Sequence, residues 1–200
     1  MNKTMNIMIV GVGGQGSLLA SRLIGNLLVN EGYDVKVSEV HGMSQRGGSV
    51  VTYVRFGDKV YSPVIDEGGA DFIVSFELLE AARWLKFLAP GGKIIANTQQ
   101  IDPMPVITGA AAYPAELADK IEQAGADIDA FDALKSATDA GSSKAVNIVL
   151  MGRLSTYFDI KEDAWQKALT ETVPPKFQEL NRKAFELGRN AQSNEHGKNG

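Results

Sequence analysis

Ile7-Met8-Ile9-Val10-Gly11-Val12-Gly13-Gly14-Gln15-Gly16-Ser17 is the stretch on which the fold turns. Four consecutive apolar residues, two of them β-branched Ile and one Val, leave no polar face. A strand buried on both sides of a parallel sheet reads this way. The glycines that follow cannot continue a strand stably, and they permit a sharp reversal. After them Leu19, Leu23 and Leu27 recur every four residues beside a second row, Ala20, Ile24 and Leu28. That pair of rows is the apolar stripe of an amphipathic helix over 17–29, stopped by Asn30-Glu31-Gly32. Val35 and Val37 then alternate with Lys36 and Ser38 as a second strand. The first forty residues therefore predict a β-α-β unit with a right-handed crossover.

Working outward, strands are expected at 49–56, 70–76, 93–97 and 127–130, with an edge strand at 104–108 that Pro103 and Pro105 confine. Gly57-Asp58 predicts a tight turn, with 59–61 pairing back as a hairpin where a standard dinucleotide fold has a helix. Helices are expected at 77–88, at 114–123 with Pro in the first turn, from a Ser142 or Ser143 cap to about Tyr157, at 162–172 and at 175–189. Pro90-Gly91-Gly92 reads as a turn, and 191–200 as a polar, disordered tail. The sum is an α/β protein, a three-layer α/β/α arrangement on a mixed, mostly parallel, Rossmann-like sheet, with 1–190 as one domain.

Composition narrows the chemistry. The chain has 200 residues, 44% hydrophobic and 22% charged, which suits a globular domain. Lys and Arg number 20 against 24 Asp and Glu, a net charge of −4, and no basic stripe marks a nucleic-acid partner. Cysteine is absent, which excludes disulfides, thiolate catalysis and an iron–sulfur cluster ligated by this chain. Two histidines make a His-based metal centre a poor expectation. No apolar run is long enough to span a membrane, so the expected compartment is the cytoplasm.

Gly11-Val12-Gly13-Gly14-Gln15-Gly16 fits G-x-G-x-x-G between a strand and a helix. Such a turn lets an anionic ligand approach the backbone N–H groups of the helix start, and it also serves as a tight turn with no ligand. Glu39 ends the second strand and would be the acid of a nicotinamide site, a reading weakened by the missing second helix. The loop His41-Gly42-Met43-Ser44-Gln45-Arg46-Gly47-Gly48 is rich in glycine and polar side chains that packing does not explain. Arg46 offers a planar fork of donors for carboxylate or phosphate; a solvated surface arginine is the plainer reading. His41 titrates in a range that suits acid–base work, or is a hydrogen-bonded structural residue. Asn147 lies on an apolar helix face, as part of a core network or as a site contact. Glu77 and Glu80 open a helix and suit its dipole; Trp84, Phe87 and Leu88 read as core, and Trp165 as core or interface.

The glycine segment with Ser17-Leu18-Leu19-Ala20, the loop from Glu39 to Val50 and Tyr61-Ser62-Pro63 together resemble the gamma-type subunits of 2-oxoacid:ferredoxin oxidoreductases. The wording of the 41–48 loop is most similar to the indolepyruvate branch of that family, and the likeness extends over about 6–190, including the Pro90 turn and the Asn147 helix. The resemblance implies a cluster-free subunit, inactive alone, of an enzyme that decarboxylates a 2-oxo acid oxidatively to acyl-coenzyme A. It implies a larger partner subunit that carries thiamine diphosphate, magnesium and the iron–sulfur clusters, with ferredoxin and coenzyme A reaching the complex; no cofactor is expected on this chain alone. Arg46 would then bind substrate carboxylate or a coenzyme A phosphate, and His41 would line the site. Gly11, Gly13, Gly14, Gln15 and Gly16 would hold an anion through backbone amides, with Ser44 and Gln45 orienting it. The alternatives are a stand-alone nucleotide-binding oxidoreductase and a binding module. The expectation common to the glycine turn and the Arg46 loop is that they converge.

Overall fold

The computed structural model describes residues 4–39 and 48–192. His41, Ser44, Gln45, Arg46 and the tail from 193 onward lie outside the described residues. Six strands form one sheet: β1 (Met5–Val12), β2 (Asp34–Glu39), β3 (Ser49–Gly57), β4 (Ala70–Ser75), β5 (Leu88–Asn97) and β6 (Asp127–Phe131). Their order is β2-β3-β1-β4-β5-β6. β1, β4, β5 and β6 pair in parallel, and β3 runs antiparallel between β1 and β2. The sheet is mixed and mostly parallel, as the sequence predicts.

Alternation along β1 sorts the two faces. Ile7 and Ile9 enter a core built with α1 (Ser17–Asn30), α5 (Ala133–Ala140), α6 (Val146–Ser155), α7 (Glu162–Thr172) and α8 (Gln178–Arg189). Met8 and Val10 enter a second core, with α2 (Leu78–Trp84) and α4 (Leu117–Gln123) on the opposite face. All four side chains are fully buried, which explains why the run carries no polar residue. Trp165 is fully buried in the first core, and Trp84, Phe87 and Leu88 pack against the second. α6 and α8 cross closely: a Cβ on Gly188 would sit 2.0 Å from the Val149 carbonyl oxygen.

Several local expectations are corrected. Residues 59–61 form no hairpin with β3, because both edges of β3 are occupied, one by β1 and one by β2. The hairpin of this region is β2–β3, and Val60 N–H instead donates to Asp34 Oδ2 at 2.9 Å. β1 and β2 consequently run the same way without touching. Residues 104–108 form no edge strand; Met104–Ile107 is a single helical turn, α3. Pro105 in its first turn presets the helical φ and needs no N–H partner there. The helix expected from Glu77 ends as α2 at Trp84, followed by a 3-10 turn, and the one expected from Pro114 starts at Leu117. Pro90-Gly91-Gly92 bulges within β5: Ala70 pairs with Leu88, yet Phe72 pairs with Lys93. Ser142 caps a 3-10 turn rather than α6 itself. α5, capped by Asp132, is an addition that the sequence reading did not contain.

Candidate functional site

In an open α/β sheet, ligands enter at the carboxyl ends of the strands where neighbouring strands hand the chain to opposite faces. β1 and β4 make such a crevice. β1 leads into α1 on one face, and β4 leads into α2 on the other.

The glycine turn lies on the β1 side of the crevice. Gly11 is buried, and a Cβ there would sit 2.8 Å from Gln15 Oε1 and 2.9 Å from Phe76 Cβ. Gly13 N–H donates to the Gly48 carbonyl at 2.8 Å, and Gln15 N–H donates to Val12 O at 3.2 Å. Gln15 turns its side chain inward. Its Oε1 accepts from Val12 N–H at 2.7 Å, and its Nε2 donates to Phe76 O at 3.2 Å, so it ties the end of β1 to the end of β4. Gly14 (φ 100°) and Gly16 (φ 88°) are both left-handed. Among the described residues, the N–H groups of Gly14, Gly16 and Ser17 meet no acceptor. They stand at the start of a 14-residue helix, whose dipole favours negative charge.

Asn147 supports this turn from behind. It is buried, its Nδ2 donates to Gly16 O at 3.2 Å, and its Oδ1 accepts from Ile148 N–H at 2.8 Å. A Cβ on Gly16 would lie 2.7 Å from that Nδ2. Asn147 is therefore a network residue that holds α6 to the start of α1.

The loop that carries Arg46 leaves from the end of β2, two strands away from β1, and returns beside the glycine turn. Gly48, where the described chain resumes, accepts the bond from Gly13. Glu39, where it stops, accepts from the buried Ser21 hydroxyl of α1 at 2.8 Å. A nicotinamide site needs its acidic strand beside β1, but β3 occupies that place.

On the β4 side a buried polar network replaces packing. Glu77 caps α2 through Oε2, which accepts from Glu80 N–H at 3.0 Å. Its Oε1 accepts from the Tyr113 hydroxyl and, at 3.3 Å, from Ile101 N–H. Burial raises the Glu77 carboxyl above its ordinary range, opposed by these donors. The Tyr113 phenol is also raised, first by burial and then by the bond to Glu77. Asn97 donates to Phe76 O at 3.2 Å and accepts from Ala133 N–H at 3.1 Å. Glu80 accepts from the Ser49 hydroxyl and from Arg83 Nε, the latter at 3.1 Å. Between the two sides lies a cleft of about 250 Å³, with Val12, Gly48, Glu77, Glu80, Arg83 and Met104 among its walls. The sequence reading of Glu77 as a helix opener holds, but its second role as a buried anchor, with Tyr113 and Asn97, was missed. Only the position of a carboxylate straight after an apolar strand hinted at it. Among the described residues, no group of three or more His, Cys, Asp and Glu side chains could hold a metal ion.

The sequence pattern of the pyruvate ferredoxin/flavodoxin oxidoreductase family matches residues 6–191. The chain belongs to that family. Among members of known name, the indolepyruvate oxidoreductase subunit IorB of Thermococcus kodakarensis is 46% identical over 191 residues, covering 93% of this chain and 95% of that one. The crystal structure of a keto/oxoacid ferredoxin oxidoreductase gamma subunit from Geobacter sulfurreducens shares the fold, with a TM-score of 0.68 at 24% identity over 92% of this chain and 95% of the other. A 2-oxoglutarate:ferredoxin oxidoreductase from Magnetococcus marinus matches 94% of this chain with a TM-score of 0.73 at 20% identity, but only 31% of its own chain. This member of the pyruvate ferredoxin/flavodoxin oxidoreductase family thus has a fold that also occurs inside a longer chain. Among its described residues, no helix is long and apolar enough to cross a membrane.

Proposed function

We propose that this chain is the cluster-free subunit of a cytoplasmic indolepyruvate (arylpyruvate):ferredoxin oxidoreductase, folded as one domain over 1–190 and inactive without its larger subunit. The observation that carries this reading is 46% identity to an indolepyruvate oxidoreductase subunit over 95% of that subunit's length. Iron–sulfur clusters do not fit the residues of this chain, which has no cysteine to ligate them. The chemistry supplied by thiamine diphosphate with magnesium, namely decarboxylation of the 2-oxo acid, and electron transfer to ferredoxin are assigned to the larger subunit.

The part left to this chain is to bind and orient an anion. The N–H groups of Gly14, Gly16 and Ser17, which meet no acceptor among the described residues, stand at the positive end of α1. The loop bearing Arg46 finishes there, at Gly48. Arg46 supplies the guanidinium for a carboxylate or a coenzyme A phosphate, Ser44 and Gln45 orient the same group, and His41 lines the site. Gly11 and Gln15 act by shape: the first lets Gln15 and Phe76 approach, and the second fixes the turn.

Reconstitution tests the proposal. The purified chain alone is expected to show no indolepyruvate-dependent reduction of ferredoxin, and the mixture with the larger subunit is expected to show it, dependent on coenzyme A. Turnover by the chain alone, or by the larger subunit without it, refutes the assignment.

A further inference from the structure

The connection from β5 to α4 carries no charged residue between Pro103 and Ala115, in a chain that is 22% charged. It is also turned outward. Met104 is 66% exposed and Ile107 65%, and positions 108–112 are all exposed. The arm is nonetheless held firmly. Ile101 N–H at its start and the Tyr113 hydroxyl near its end both donate to Glu77 Oε1, the buried carboxylate of the crevice. Within it, Ala111 N–H donates to Pro105 O at 3.0 Å. Pro103 and Met104 line the cleft between β1 and β4, so the apolar surface runs continuously into the rim of the candidate site.

An apolar surface that is held in place and left bare marks an interaction site. We infer that this arm is where the larger subunit docks, an inference that rests on the two-subunit reading proposed above. Its extent suits the core of such a contact. At the usual area per interface residue it offers about 400 Å², roughly half of one side of a standard interface, and the adjoining cleft rim at Ser49 and Arg83 extends it. Charge separates the larger subunit from a second copy as the occupant. Asp102 precedes the arm, and Glu116 and Asp119 follow it, against Lys120. A two-fold contact between copies through the arm sets one acidic rim against another. A partner with an apolar patch edged by Lys or Arg satisfies both the centre and the flanks.

The test uses the two-subunit complex. Met104→Asp with Ile107→Asp is expected to weaken association with the larger subunit by at least about tenfold, read by titration of labelled chain. Val29→Asp, at a residue 60% exposed in the layer on the other face of the sheet, is expected to leave association unchanged. Hydrogen exchange of the wild-type complex is expected to protect the amides of 104–115 relative to the chain alone. Unchanged affinity of the double variant, or no protection of the arm in a formed complex, overturns the inference and leaves the two-subunit reading standing. Failure of the wild-type chain to associate overturns that reading and the inference with it. Self-association of the chain alone that the double variant abolishes assigns the arm to a second copy and overturns the inference. Circular dichroism of the double variant shows whether the fold is intact, and the exchange measurement on wild type stands whatever that variant does.

Discussion

Two glycines, two and four positions past the end of β1, have the same backbone hand and different surroundings, and replacing each by alanine separates two costs. Gly14 has φ 100° and nothing within 4 Å of where a Cβ would stand. Gly14→Ala therefore incurs the left-handed backbone penalty alone, about 1–2 kcal/mol. Gly16 has φ 88° and incurs the same penalty, but its Cβ would stand 2.7 Å from Asn147 Nδ2. The amide must swing away, which breaks its bond to Gly16 O. That adds about 1 kcal/mol, rising to about 3 kcal/mol if the buried amide finds no other acceptor. The expected total for Gly16→Ala is about 2–5 kcal/mol. Urea denaturation of the isolated chain measures both. The contact makes a second demand: Asn147→Ala removes the obstacle, so it should cost about 1–2 kcal/mol less in the Gly16→Ala background than in wild type. Equal losses for the two glycine variants, or additivity of the Gly16 and Asn147 changes within about 0.5 kcal/mol, refute the reasoning.

Four other outcomes are expected. Gly188→Ala brings a methyl to 2.0 Å from the Val149 carbonyl, and forcing α8 off α6 should cost about 1–3 kcal/mol or more in urea denaturation. Asp129, 2% exposed, accepts from Arg153 Nε and the Tyr157 hydroxyl, each at 2.5 Å; Asp129→Ala removes the carboxylate that both groups share and should cost about 3–5 kcal/mol by the same measurement. Glu77 is raised by burial, so the folded chain holds its proton to higher pH than the unfolded chain; stability should therefore decline as pH rises above the ordinary value of 4.5 and level off beyond the raised one, a step that Glu77→Gln removes and Tyr113→Phe moves to higher pH in thermal melts across pH. Arg46→Ala in the reconstituted complex should cost about 2–4 kcal/mol in kcat/KM, and wild-type turnover counts against its anion-binding role.

Much of the architecture was legible because it follows from which residues avoid water. The unbroken run from Ile7 to Val10 announces a strand covered on both faces, and both covering layers are present. The Leu19 and Ala20 rows announce α1, which spans Ser17–Asn30. The two misread strands share one cause: pairing is a property of edges, and edges do not exist in a sequence. Residues 59–61 have the composition of a strand, but β3 has no edge left to offer. Residues 104–108 have apolar character without a neighbour to pair with, and the prolines turn them into a helical turn.

The sequence by itself determined the strand–glycine–helix opening, the absence of a cluster ligand and the concentration of candidate chemistry in the first fifty residues, because these depend on residue types and on spacing along one chain. Tertiary structure alone decided the rest. It inserted β3 between β1 and β2, and so removed the acidic strand from the flank of the glycine turn. It brought Glu77, Asn97 and Tyr113, far apart in the chain, to one crevice, and it bonded Gly48 to Gly13. Such placements arise from strand order and from the need of buried donors and acceptors to meet, and neither is written in local periodicity.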